Sequence, residues 1–110
     1  MIDFIIDCVR HLRDWICELI QGVIDFLTHV VSWFRSLRLD KKKDIPFIMK
    51  GEKFREMLHQ APKKNVGLFE ANYDEQADEI TANRWLEADG VDAKTRQALN
   101  ESEDGVLVLS

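Results

Sequence analysis

Cys8, His11 and Cys17 are the residues whose types most readily suggest chemistry, because thiolate and imidazole are the usual ligands of a structural metal. Their spacing argues against that use. Cys8 and His11 share one face if the segment is helical, but Cys17 lies more than a turn away, and the chain has no CxxC or HExxH pair. On a helix the two cysteines would stand about 13 Å apart, beyond the reach of an intrachain disulfide. Buried free thiols are the expected state. His29 would invite a proton-path reading if it lay in a membrane oligomer, but a plain polar-face position explains it as well.

Other candidates fare no better. Gly51-Glu52-Lys53 has a single glycine and lacks the GxxxxGK[ST] pattern whose backbone amides cradle phosphate. Asp74, Glu75, Asp78 and Glu79 would attract a cation, yet the Gly-centred spacing of a calcium loop is absent. A dipole-favoured helix N-terminus is the simpler account of these four acids. No Ser/His/Asp or Cys/His nucleophile arrangement can be assembled. The sequence therefore predicts no enzyme, no catalytic residue, no cofactor and no metal.

The elements that would position such residues begin with an apolar series at steps of three and four: Ile2, Ile5, Val9, Leu12, Ile16, Leu19, Val23, Phe26, Val30, Trp33 and Leu37. This spacing predicts one long helix over residues 1–39. From residue 15 onward Cys17, Ile20, Ile24, Leu27, Val31 and Phe34 add a second stripe. Only a thin polar line remains, formed by Glu18, Gln21, Asp25, Thr28 and Ser32. A helix apolar around most of its circumference belongs in a core or a bilayer.

Trp15 and Trp33 would lie about 27 Å apart on that helix, close to the hydrocarbon thickness of a membrane. Arg35, Arg38, Lys41, Lys42 and Lys43 follow the second tryptophan, so the layout predicts interface anchors and a cytoplasmic C-terminal domain. Glu18 and Asp25 would be costly in lipid unless self-association sheltered them. The same stripe also fits heptad positions a and d of a coiled coil. A soluble, cytoplasmic subunit, inhibitor or adaptor packing its helix into a larger bundle is thus the alternative.

Residues 40–44 read as a basic linker, and residues 45–110 as a small acidic α/β domain. Residues 45–49 form an edge strand or extended segment because of Pro46; 51–60 form a helix with Phe54, Met57 and Leu58 on one side. Residues 61–65 make a loop at Pro62, and 66–71 a strand. Residues 74–89 follow as a helix stopped by Gly90. Asp92 caps a helix over 93–100, and 106–109 form a last strand. The fold class is α+β. Net charge runs −3, +6 and −8 over residues 1–34, 35–64 and 65–110. The acidic C-terminal part disfavours nucleic acid. No secretory leader is expected, since Asp3 and Asp7 occupy the place of a basic n-region.

The predicted function is a small membrane-associated interaction protein. It would self-assemble through the N-terminal helix and dock a protein partner through the C-terminal domain, with Asp74, Glu75, Asp78, Glu79 and Trp85 as the docking residues.

Overall fold

In a computed structural model of the chain, residues 2–59, 61 and 63–109 are described. Helix α1 (Ile2–Arg10) leads through an irregular stretch into strands β1 (Cys17–Leu19) and β2 (Val23–Ile24). A π-helical turn, Phe26–Val31, continues into helix α2 (Ser32–Ser36). Strand β3 (Asp44–Lys50), helix α3 (Gly51–Leu58), strands β4 (Val66–Asp74), β5 (Glu79–Ala88) and β6 (Gly90–Val91), helix α4 (Ala93–Asn100) and strand β7 (Val106–Val108) complete the order.

The main sheet runs β1-β5-β4-β3-β7. Its pairs are antiparallel except the outermost, where β1 lies parallel to β5. A short parallel ladder joins β2 to β6. Alternation along the strands divides the apolar residues between two faces. On the first face Phe47, Met49, Phe69, Ala71 and Trp85 meet Ile5, Ile6 and Val9 of α1 and Phe54 of α3. On the second, Ile48, Leu68, Leu86 and Ala88 lie under Ile24, Val30 and Phe34, with Ala98 and Leu99 of α4 beside them. Burial on both faces explains why the middle strands read as near-continuous apolar runs.

Phe54 is the hub of the first face. Its ring stacks on Phe69 at 4.4 Å and on Trp85 at 4.6 Å, and Trp15 meets it edge-on at 5.5 Å. Gly67 makes this possible, because a Cβ there would occupy the space of the Trp85 ring.

The long N-terminal helix is not formed. Helix α1 carries only Ile2, Ile5 and Val9 of the stripe and ends at Arg10. Among the described residues no helix is long and apolar enough to cross a membrane, and no continuous helix remains to carry a coiled-coil seam. The transmembrane and coiled-coil expectations are therefore corrected. The physical reason lies in the second stripe. Trp15-Ile16-Cys17, Leu19-Ile20 and Val23-Ile24 are runs of adjacent apolar residues rich in aromatic and β-branched types, which suit a strand as well as a helix. Gly22, at φ +86°, supplies the turn between β1 and β2.

Residues 74–89 also differ from expectation, forming a hairpin rather than a helix. Asp74 Oδ1 accepts from the N–H groups of Gln76 and Ala77, folding the acids into the turn, and Asp78 takes φ 55° to close it. Gly90, expected to stop that helix, instead sits in β6. Pro46 does not make β3 an edge strand, because β4 and β7 flank it. The Pro46 carbonyl accepts from Leu109 N–H, so the missing donor faces β7 just beyond Val108, where that ladder ends.

Helix α3, strands β4 and β7, and helix α4 lie where the sequence placed them, within a residue or two at most ends. The expectations for Gln60 and Pro62 lie outside the described residues. Asp92 caps α4 through Oδ1 to Thr95 N–H and also receives Phe26 N–H on Oδ2. Asp92→Ala is expected to cost about 1–2 kcal/mol in urea unfolding; a change of only a few tenths would mean that the cap is idle.

Candidate interaction site

The chain from Ile16 to Ile24 forms the outer border of the molecule on the β5 side. Ile16 carbonyl accepts from Trp85 N–H and Ile20 N–H donates to Glu87 carbonyl, both at 2.7 Å. Beyond the turn, Gly22 and Ile24 carbonyls accept from Asp89 and Asp92 N–H. Backbone groups of successive residues in a strand point to opposite sides. The N–H and C=O of Cys17, Leu19 and Val23 therefore face outward, and all three residues of β1 are exposed.

Large apolar side chains mark the same border. Ile16 is 65% exposed, Leu19 53% and Val23 51%, and Leu27, in the π-helical turn that follows, is 58% exposed. An open strand edge with apolar side chains is the arrangement that proteins usually blunt with charge, proline or a covering element.

Beside this edge, on the second face, opens a cleft of about 510 Å³ lined by residues that include Asp14, Ile16, Glu18, Trp33, Leu37 and Arg84. Strand alternation brings Glu18 and Arg84 to this face, next to Glu70 of β4. The Arg84 guanidinium donates to Glu70 Oε1 at 2.5 Å, to Glu18 Oε2 at 3.1 Å and to the His29 carbonyl. It also lies over the Trp33 ring, 5.1 Å from its centre. One cation thus ties β1, β4, β5 and the π-helical turn together.

Glu70 is fully buried. Burial pushes its carboxyl up to about 7, against the hydrogen bond and charge of Arg84 that draw it down. Its Oε2 has no hydrogen-bond partner among the described residues. Glu87, nearly as buried on the first face, behaves oppositely. Burial pushes that carboxyl up, but the N–H groups of Lys63 and Lys64 and the side chain of Arg55 outweigh it and leave it below its ordinary value.

The residues singled out from the sequence are dispersed. Glu18 enters the Arg84 network. Asp25 starts the π-helical turn, accepting from Thr28 N–H and donating its own N–H to His29 Nδ1. Gln21 lies exposed beside the Gly22 turn, and Ser32 is exposed at the start of α2. Trp15 packs on Phe54, whereas Trp33 covers Arg84. Arg35 and Lys41 border a second, broad cavity at the opposite end of the sheet, with Phe34 and Leu107 in its wall. Arg38 is exposed at φ 51°. Lys42 N–H donates to Asp40 Oδ1, and Lys43 pairs with Asp74 at 3.6 Å. Glu75, Asp78 and Glu79 lie at the β4–β5 turn, and Trp85 is only 1% exposed. Cys8 Sγ lies 3.8 Å from Asp78, far in the fold from exposed Cys17, and no metal-binding group forms among the described residues.

Sequence reasoning passed over Arg84 and Glu70. The signal was present once residues 79–88 are taken as a strand, for alternation then sets Arg84 among Ala82, Leu86 and Ala88 on a buried face. No family model, curated protein or solved structure matches this chain.

Proposed function

We propose that the protein is an interaction module that accepts an added β-strand from a protein partner along the outer side of β1. The observation that carries this reading is the open edge itself: outward backbone groups at Cys17, Leu19 and Val23 next to exposed Ile16, Leu19 and Val23. Main-chain bonds to such an edge supply affinity, and the alternating side chains supply specificity. This site replaces the long N-terminal helix as the place of assembly.

The parallel ladder offers a clean test. The N–H of Leu19 points outward, so Leu19→Pro removes one external donor and leaves the bonds of Ile16 and Ile20 to β5 in place. Strand-forming peptides selected from a random display library against the native protein are expected to protect the amides of residues 17–23 from hydrogen exchange. They are expected to lose at least about tenfold in affinity for Leu19→Pro. Peptides that bind both proteins equally, or protect a different surface, would refute the reading.

A further inference from the structure

We infer that the strand accepted by β1 carries a lysine or arginine opposite Glu18, seated at the mouth of the cleft under Trp33, with apolar residues on either side of it. This inference rests on the strand-accepting reading and adds the chemistry of the partner. The register of β1 on β5 sends Cys17 and Leu19 to the first face and Glu18 to the second. A partner residue opposite Glu18 must project on that second face, beside the Glu18 carboxylate. Its two neighbours fall on the first face, next to Cys17 and exposed Leu19, where apolar side chains fit.

The charge of the pocket selects the central residue. Glu18 and Glu70 flank a single guanidinium, and Asp14 lines the same cleft. Arg84 is already engaged by Glu70, the His29 carbonyl and the Trp33 ring. The Glu18 side chain is still 47% exposed on its outer side, and Asp14 is exposed with no ion pair to a described residue. A second cation opposite Glu18 offsets part of this acidic excess, and Ile16, Trp33 and Leu37 offer apolar wall for its aliphatic stem. An acid at that position would face a carboxylate directly, which is destabilising. That same conflict argues against a second copy of this chain centred on Glu18 as the occupant. The symmetric antiparallel register that pairs Cys17 with Leu19 of the copy sets Glu18 against Glu18.

The test uses three synthetic peptides, acetyl-Thr-Val-Arg-Val-Thr-amide and its Gln and Glu counterparts at the centre, titrated into the full chain and followed by amide chemical shifts. The Arg peptide is expected to bind about tenfold or more tighter than the Glu peptide, with shifts centred on residues 16–20 and a preference that shrinks as salt is raised. Asp14→Asn and Glu18→Gln should each reduce the preference several-fold. Asp14 makes no hydrogen bond with a described residue, so Asp14→Asn tests the charge without disturbing the fold, which the amide spectrum checks. Leu19→Pro should weaken all three peptides. Equal binding of the three, lost in Leu19→Pro, overturns the basic residue and leaves the strand reading standing. Binding indifferent to Leu19→Pro, or no binding, overturns both. A concentration-dependent dimer that Leu19→Lys dissociates would show that a second copy holds the edge, and would overturn the basic partner.

Discussion

Replacing Phe54 with alanine is expected to lower the unfolding free energy by about 3–5 kcal/mol, the range for deleting a buried aromatic ring. Phe54 is fully buried, and its ring is stacked on Phe69 and Trp85 while Trp15 meets its edge. Helix α3 brings no other fully buried large side chain to the sheet, since Met57 and Leu58 are only partly buried. Its removal leaves a void between the helix and β4–β5 that Gly51 and Gly67 cannot fill. A chain of this size has a net stability of about 5–15 kcal/mol, so the variant should melt roughly 12–20 °C lower. Phe54→Leu, which keeps most of the volume, should lose much less. A loss below about 1 kcal/mol for the alanine variant would show that the first face does not depend on this stack.

The second large effect concerns the buried pair on the other face. Arg84→Met is expected to cost about 3–5 kcal/mol at pH 8, because it leaves the Glu70 carboxylate buried without its cation. Removing the acid as well, in Arg84→Met with Glu70→Leu, should restore much of that loss. Failure of the double variant to recover would mean that Arg84 acts mainly through Trp33 and the His29 carbonyl.

Glu70 also sets a direction for pH. Its carboxyl is pushed from 4.5 to about 7 in the folded chain, so between those values the native state holds a proton that the unfolded state has released. Stability contributed by the neutral group is complete below about pH 4.5 and is lost as pH rises through about 7, by about 3 kcal/mol at about 1.4 per pH unit. Asp74, Glu87 and Asp92 pull the other way. Their lowered carboxyls stabilise the fold above the ordinary carboxylate range, and that gain is lost on acidification. Denaturant unfolding should therefore show greatest stability in mildly acid solution. Glu70→Gln should flatten the decline toward pH 8; an unchanged decline would assign it to another group.

Much of the C-terminal half was legible because local signals and tertiary demand agree there. Asp92 caps α4 as its type and position suggest, Phe54 marks the buried side of α3, and β4 reads as an apolar run. The N-terminal third was not, because its three-four spacing coexists with adjacent apolar pairs, and periodicity alone does not choose between helix and strand in such a run. What decides is Trp85 and Glu87, which lie far along the sequence and offer the backbone groups on which β1 docks. Strand β5 was obscured by its own site, since a charged Arg84 interrupts the apolar alternation from Ala82 to Ala88. Glu18 was visible as part of a polar line. Its partner was not, for nothing local to residue 18 points to residue 84.

The parallel docking of β1 also bears on how the chain matures during synthesis. Cys17 pairs with Trp85, sixty-eight positions later. At roughly 5–20 residues per second, β1 waits about 3–14 s after leaving the ribosome before its neighbour exists. The β4–β5 hairpin, closed by a short turn, can form as soon as both strands emerge, whereas the distant parallel pairing carries the larger closure entropy. A strand made early thus finds its place late. Until then Ile20 and Ile24, which the finished fold packs against the second face of the sheet, travel uncovered, open to chaperones and to any strand that arrives first.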